Sequence, residues 1–317
     1  MSPRTIAVVG GAGFIGSHLV DRLLVDGHRV RVADDLSSGS LANLAEARQA
    51  DADLTFDHID ITGPEGEAWI SRHRPEVIIH LAAVPRRVTR STDLAAAWAR
   101  TLALLDAARR HGSPKIVVAL PASVISGNPR VKDLPLKEGD LQPRGAAGIL
   151  ARTVIDTLEH ARARHAVEFT ALALGTVYGP RPRPNAGVVA RLVAAATAGR
   201  PGAITGDGKQ SRDLIHVDDV AEALAAATRR GDGLTINVGT GQATRVIDLW
   251  EMIAPDGPAP RATPARPDEL ARLALSSARA RIHLDWSPFT PLLTDSTASS
   301  DAESLLNGGD RRLSEAR

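Results

Sequence analysis

The amino-acid sequence predicts an α/β fold with a doubly wound parallel sheet, and three observations carry that prediction. Residues 6–9 (IAVV) form a short apolar run of the kind found in buried strands. A glycine-rich turn follows, after which apolar residues recur at helical spacing. A second predicted strand at residues 28–33 ends in Asp34, about 20 residues beyond the turn. This order of strand, glycine turn, helix and strand predicts a Rossmann-type unit at the start of the chain.

The glycine turn also predicts a dinucleotide site. A side chain there would hold the backbone away from a pyrophosphate, and the N-terminus of the next helix offers free N–H groups to that anion. Asp34 stands where an acidic residue binds a ribose diol, which favours NADH, while Ser37 and Ser38 leave NADPH open. The residues predicted to contact the cofactor from this part of the chain are Gly10, Gly13, Phe14, Ile15, Gly16, Asp34, Asp35, Ser37 and Ser38.

Two further strands complete the predicted cofactor half. Residues 54–61 form the third strand, and Asp60 and Ile61 at its end are expected to hold the adenine edge, the alternative being a strand cap. Residues 76–81 form a buried fourth strand, and small residues after such a strand let a cofactor lie against the backbone. The contacts predicted from there are Leu81, Ala82 and Ala83. Later helices are predicted at 188–198, 217–228 and 268–281.

Composition excludes several classes of function. A chain of 317 residues with a formal net charge of +1 has no basic footprint for nucleic acid or for an anionic membrane. It has no apolar run long enough to span a membrane. With no cysteine it forms neither disulfides nor thiolate metal sites, and its histidines lack the spacing of metal ligands. A cytoplasmic protein without a metal site is expected.

The length suggests two domains. We expect residues 1–173 with 213–240 to form the dinucleotide-binding Rossmann domain. Residues 174–212 with 241–293 are expected to form a smaller C-terminal α/β subdomain that binds substrate. Residues 294–317 lose apolar periodicity and are expected to be a disordered tail.

Several motifs extend along the chain beyond the glycine turn. They are HLAA at 80–83, VYGPR at 177–181, GDGKQSRDLIHVDDVAEAL at 206–224, NVGTG at 237–241 and LDWSP at 284–288. With them the chain resembles an extended short-chain dehydrogenase/reductase of the NAD-dependent epimerase/dehydratase family. The resemblance implies a nicotinamide cofactor. By analogy with the family, it also implies a homodimer that pairs through helices near 94–110 and 150–164.

The resemblance breaks down where the family transfers protons. Members resembling this chain carry a tyrosine and a lysine four residues apart on one helix face, and those positions are Ala147 and Ala151 here. The family's serine or threonine position falls on Ala122, with Ser123 one place along. The single tyrosine, Tyr178, is interpreted as a structural ring. No conventional catalytic residue is predicted, and Ser123 is the one candidate kept.

The expected substrate follows from the same departures. The run at 145–151 leaves apolar space where polar groups would stand, and Thr176 replaces an asparagine common in nucleotide-sugar enzymes of the family. Arg212 matches a family arginine that can contact a diphosphate, but we favour its pairing with Asp213, Asp218 or Asp219. The predicted substrate contacts are Pro121, Ala122, Ser123, Ala147, Ala151, Thr176 and Arg181.

These observations lead to three functional hypotheses. The first is an NAD(P)H-dependent ketoreductase acting on a large aromatic ketone of polyketide type, as in antibiotic biosynthesis. Substrate or water would then supply the proton, because Ala147 and Ala151 cannot. The departures are similar to those of an atypical ketoreductase, which favours a polyketide ketone. The alternative is a catalytically inactive dinucleotide-binding sensor or scaffold. We rank third a nucleotide-sugar epimerase or dehydratase, because Ala147 cannot act as the base that such reactions need.

Overall fold

The computed structural model describes residues 2–50, 53–85, 88–112, 114–139, 141–182, 187–265 and 269–292. Its strands are β1 Thr5–Val9, β2 Arg29–Asp34, β3 Leu54–His58, β4 Val77–His80, β5 Lys115–Pro121, β6 Phe169–Leu174, β7 Thr176–Tyr178, β8 Ala203–Thr205, β9 Ser211–Arg212, β10 Leu214–His216, β11 Leu234–Val238, β12 Thr244–Arg245 and β13 Arg261–Thr263. Its α-helices are α1 Phe14–Val25, α2 Ala45–Gln49, α3 Pro64–His73, α4 Ser91–Arg110, α5 Ala122–Ile125, α6 Gly145–His165, α7 Val188–Thr197, α8 Val217–Ala227, α9 Val246–Ile253 and α10 Ala278–Leu284.

A seven-stranded sheet organises the larger part of the chain. Its order is β11-β6-β5-β4-β1-β2-β3, and every pairing within it is parallel. The chain moves outwards from β1 through β2 to β3, then returns to the other side of β1 with β4. This reversal places a crevice at the carboxyl ends of β1 and β4, where open α/β sheets bind ligands.

Alternation along the strands covers both faces of the sheet. In β1, Ile6 and Val8 pack in one apolar cluster with α1 and α8, while Ala7 and Val9 pack in the other with α3, α4 and α6. Strands buried on both faces are continuous apolar runs, which is why the sequence pattern located them. The prediction of a doubly wound Rossmann-type α/β fold is confirmed in this geometry.

A third apolar cluster lies in the later part of the chain. Leu192 of α7, Ile204 of β8 and Trp250 of α9 are buried in it together with Tyr178. Two-stranded pairs surround this cluster: β7 with β10, β8 with β13 and β9 with β12. The domain boundaries stated above stay predictions, and the expected tail at 294–317 lies outside the described residues.

The prediction of a helix over 268–281 is wrong for most of that range. Of the described residues in that span, only those from Ala278 onwards are helical. Leu275 instead pairs with Leu136 in an isolated bridge, and its N–H donates to Asp213 Oδ2 at 2.7 Å. The apolar spacing was compatible with a helix, but hydrogen bonds to distant residues hold this stretch extended.

None of the helices described is long and apolar enough to cross a bilayer. The cytoplasmic location stays a prediction.

Candidate cofactor and substrate site

The glycine turn after β1 brings the backbone at the end of the strand into close contact with the backbone at the start of α1. Gly10 has a positive φ of 86°, and the N–H of Gly13 donates to the carbonyl of Gly10 at 3.2 Å. A Cβ on Gly16 would lie 2.2 Å from the oxygen of Gly10, which is closer than atoms can approach. Phe14 and Ile15 then open α1. The bare turn and the helix N-terminus form a cradle that fits a pyrophosphate.

Asp34 ties the end of β2 to this turn. Its carboxylate is buried and accepts hydrogen bonds from the N–H of Ala12 at 2.9 Å and from the N–H of Leu36 at 2.8 Å. Asp35 accepts in the same way from the N–H of Ser37 at 2.9 Å. Ser37 and Ser38 are exposed beyond it. The residues predicted for the ribose therefore meet at one strand end.

The ends of β3 and β4 border the same region. Asp60 is exposed and accepts from the N–H of Thr62 at 3.0 Å, whereas Ile61 is buried. Leu81 and Ala82 lie against the glycine turn, because a Cβ on Gly10 would stand 3.5 Å from that of Leu81. Ala83 is fully buried. Residues predicted separately from three strand ends thus come together beside the cradle.

His80 closes β4 beneath these residues. Its side chain is fully buried, and its Nε2 lies 3.2 Å from the hydroxyl of Thr101 in α4. Burial, assisted by the nearby cation of Arg100, lowers the pKa of His80 to about 3. The imidazole is therefore neutral at physiological pH and links β4 to α4.

The region predicted for proton transfer lies at the start of α5 and α6. Gly148 lets the two elements touch, since a Cβ there would stand 2.3 Å from the carbonyl oxygen of Val124. Ser123 and Ala147 are both half-buried on these adjoining elements. Ala122 and Ala151, however, are fully buried within the core and leave no surface for a substrate.

The remaining predicted substrate residues lie in different surroundings. Thr176 begins β7, and Pro121 ends β5 in a half-buried position. Arg181 donates to Asp21 of α1 at 2.6 Å and to Glu46 of α2 at 3.1 Å. Its guanidinium is therefore engaged with the Rossmann helices, and a substrate role for Arg181 stays a prediction.

Arg212 pairs with a residue that the sequence did not indicate. Its guanidinium donates to Glu269 at 2.8 Å and to the carbonyl oxygen of Leu270 at 2.7 Å, not to the aspartates expected. Burial lowers the pKa of Arg212, and Glu269 opposes that shift. Tyr178 is buried with its ring 5.3 Å from that of His216, edge to face, and burial raises its pKa above the usual range.

Arg100 was also missed. It lies on α4 with its Nη1 3.8 Å from Asp35 Oδ2, next to the predicted ribose residues. One signal could have found it: a cation interrupts the stripe of small and apolar residues formed by Ala97, Thr101 and Leu104. Glu269 carried no comparable signal, since its partner lies 57 residues away in the chain.

A comparison with known proteins decides the family. The sequence profile of the NAD-dependent epimerase/dehydratase family matches residues 6–239. The chain belongs to this family. A UDP-glucose 4-epimerase from Mycolicibacterium smegmatis is 39% identical over 301 residues, which cover 90% of this chain and 93% of that relative.

Solved structures of the family agree with the fold. The structure of UDP-glucose 4-epimerase from Thermotoga maritima with UDP-glucose has a TM-score of 0.81 at 31% identity, covering 90% of this chain and 94% of that one. The enzyme of the same name from Thermus thermophilus, in complex with NAD, has a TM-score of 0.79 at 28% identity and covers 91% and 95%. The predicted nicotinamide cofactor is confirmed, and the family specifies NAD.

The prediction of an aromatic-ketone reductase is wrong, and so is the aromatic ketone as partner. The relatives found are UDP-sugar enzymes, not reductases of polyketides or of antibiotic biosynthesis. Alanine at positions 147 and 151 is not evidence for a large apolar ligand. Ala151 is sealed in the core, so the space assumed there is not open.

Proposed function

We propose that this chain acts on a nucleoside diphosphate sugar and that it catalyses epimerisation at the C4 carbon. The observation that carries this proposal is the 39% identity with a UDP-glucose 4-epimerase over 90% of the chain. A match of that extent includes the smaller subdomain as well as the cofactor half. Uridine diphosphate is accordingly the nucleotide that we expect the site to bind.

The chain's own residues support both halves of such a complex. Bound NAD supplies hydride chemistry at the reacting carbon. The cradle at Gly10 and Gly16 holds the pyrophosphate, and Asp34 orients the adenosine ribose. Arg212, positioned by Glu269, offers a buried cation for the sugar diphosphate, since planar guanidinium groups suit phosphate oxygens.

Proton transfer is where this chain differs from the pattern of its family. Epimerisation starts with loss of the hydroxyl proton, yet Ala147 and Ala151 occupy the positions where the resemblance places tyrosine and lysine. We infer that the proton leaves to water, directly or relayed by Ser123, and returns by the same route when the hydroxyl forms again. Because general acid–base catalysis contributes about 100-fold to 10,000-fold, turnover is expected to be slow by a factor of that order.

A dinucleotide-binding protein without turnover is the second candidate, and Ala147 and Ala151 are the observation that favours it. The two candidates share the cofactor site and differ only in chemistry. A single set of measurements therefore separates them.

The test uses the full chain with NAD and, separately, UDP-glucose, UDP-galactose and UDP-N-acetylglucosamine. Calorimetry measures binding of NAD and UDP, and NMR follows the sugar over long incubations. Appearance of the 4-epimer supports the proposal. Binding of NAD and UDP without any epimer supports the second candidate. Failure to bind UDP would contradict the nucleotide-sugar assignment altogether.

A further inference from the structure

An arginine from α4 reaches the adenosine end of the crevice. Arg100 Nη1 lies 3.8 Å from Asp35 Oδ2. Arg100 stands on the helix that follows β4, whereas Asp35 directly follows β2, and β1 lies between those strands in the sheet. The contact therefore joins α4, the helix that follows β4, to the residue that follows β2.

Arg100 lies on a helix that packs in the same apolar cluster as a residue predicted to hold adenine. Ala97, one helical turn before it, packs in the same apolar cluster as Ile59 and Ile61. Ile61 is one of the residues predicted to hold the adenine edge. Arg100 thus extends from a helix that packs in the same apolar cluster as Ile61.

Asp35 is held in place independently of Arg100. Its carboxylate accepts from the N–H of Ser37 at 2.9 Å and from the hydroxyl of Ser37 at 2.5 Å. Its carbonyl oxygen lies 3.2 Å from Nε2 of His58 at the end of β3. A carboxylate fixed in this way orients the guanidinium that approaches it.

Arg100 has bonding capacity that its ion pair does not use. Its Nε is buried and has no hydrogen-bond partner within the described part of the chain, and its side chain is 21% exposed. An arginine carries five N–H donors on a flat group, and leaving a buried donor unsatisfied is costly. An oxygen of the bound adenosine half, lying in the plane of the guanidinium, would relieve that cost and leave its flat face for the ring.

We propose that Arg100 binds the adenosine half of NAD, with its flat guanidinium lying on the adenine ring while Asp35 orients it. Arginine stacks on flat aromatic rings, and its charge also offsets the carboxylates of Asp34 and Asp35 beside an anionic cofactor. The inference rests on the NAD dependence of the family and is independent of sugar turnover.

The test measures where on the cofactor Arg100 acts. Calorimetry compares NAD, ADP-ribose and nicotinamide mononucleotide against the wild type, Arg100→Met and the control Arg109→Met. Arg109 lies on the same helix, more exposed, 3.5 Å from Asp106. Arg100→Met should raise the Kd of NAD and of ADP-ribose by about 5-fold, the scale of a partly exposed cation–π contact. Neither variant should change the Kd of the mononucleotide, which lacks adenosine.

Two outcomes would overturn the proposal. An unchanged Kd for ADP-ribose in Arg100→Met would place the arginine outside the adenosine site. A Kd for the mononucleotide that rises in parallel, with a lower Tm, would show a merely structural role. If Arg100→Met does not fold, Arg100→Ala and Arg100→Lys replace it, with a larger loss expected in the alanine variant.

Asp35→Asn gives an independent readout. Releasing Arg100 from its carboxylate should lower NAD affinity by no more than Arg100→Met does and should improve NADP binding, because one negative charge near the 2′-phosphate is gone. A parallel rise in the Kd of the mononucleotide, with a lower Tm and no gain for NADP, would mean that the pair serves only the fold. Failure of the wild type to bind NAD would instead contradict the cofactor assignment itself.

Discussion

At the carboxyl ends of β1 and β2 the backbone is shaped closely for a ligand, whereas at the start of α6 the side chains are small and several are sealed in the core. Around the glycine turn, a Cβ at Gly16 would collide with the chain, and Asp34 has an N–H donor on each oxygen. Around α6, Ala147 is half-buried and Ala151 has no exposed surface. Different residues therefore hold the dinucleotide and transfer the proton. The proton-transfer residues can change while the cofactor site is kept.

The largest effect is expected from restoring a proton donor. Ala147→Tyr places a phenol at the half-buried position on α6, next to the element that carries Ser123. Since general acid–base catalysis is typically worth about 100-fold or more, epimerisation of a UDP-sugar should accelerate by that order. The initial rate of 4-epimer formation measures the gain.

The neighbouring residue supplies the control for that variant. Ala146 is exposed on the same helix, so Ala146→Tyr adds the same ring at a different angle. Its rate should equal that of the wild type. Equal gains in both variants, or none in either, would show that Ala147 does not face the reacting hydroxyl.

The next largest effect is expected from disrupting the glycine turn that binds the cofactor. Gly16→Ala puts a methyl group 2.2 Å from the carbonyl oxygen of Gly10, so the turn has to move. Overpacking of this kind costs about 1–3 kcal/mol, and we expect NAD affinity to fall by about 10-fold to 100-fold. Gly139→Ala, where nothing lies within 4 Å of the added carbon, should bind NAD normally in the same titration. Unchanged NAD binding by Gly16→Ala would show that the glycine turn does not hold the cofactor.

These regions also differ in how far the sequence predicts them. The glycine turn, the strand end at Asp34 and the parallel sheet follow from local periodicity and turn chemistry. The partner of Arg181 does not, because Asp21 lies 160 residues away in the chain. The extended stretch around Leu275 was mistaken for a helix for the same reason, since its N–H is bound by the distant Asp213. The substrate was mispredicted because missing groups at Ala147 and Ala151 identify no ligand.

A smaller effect separates two arginines, of which the sequence predicts Arg181 as a substrate contact and Arg212 as the ion-pair partner of an aspartate. Arg212→Met removes the buried cation beside Glu269 and should raise the Kd of UDP about 10-fold, the scale of a hydrogen bond to a charged group. Arg181→Met breaks ion pairs with Asp21 and Glu46, so it should lower the Tm and leave UDP binding unchanged. Calorimetry with UDP and thermal unfolding of both variants distinguish a substrate-binding arginine from a structural one. A selective loss of UDP affinity in Arg181→Met would restore its predicted substrate role.

The smallest effect tests His80, the residue that links β4 to α4. Burial lowers the pKa of His80 from 6.5 to about 3, so the unfolded chain binds its proton more readily than the folded one. Its contribution to stability is therefore complete above about pH 6.5 and is lost as the pH falls towards about 3, at about 1.4 kcal/mol per pH unit. Between about pH 7.5 and about pH 5.5, the free energy of unfolding of the wild type should fall by about 1 kcal/mol more than that of His80→Gln. His165→Gln, at an exposed position outside the core, serves as control for the loss of an imidazole. Equal slopes for the wild type and His80→Gln in urea titrations would mean that His80 is not buried neutral between β4 and α4, and the link between the cofactor half and α4 would have to be sought elsewhere.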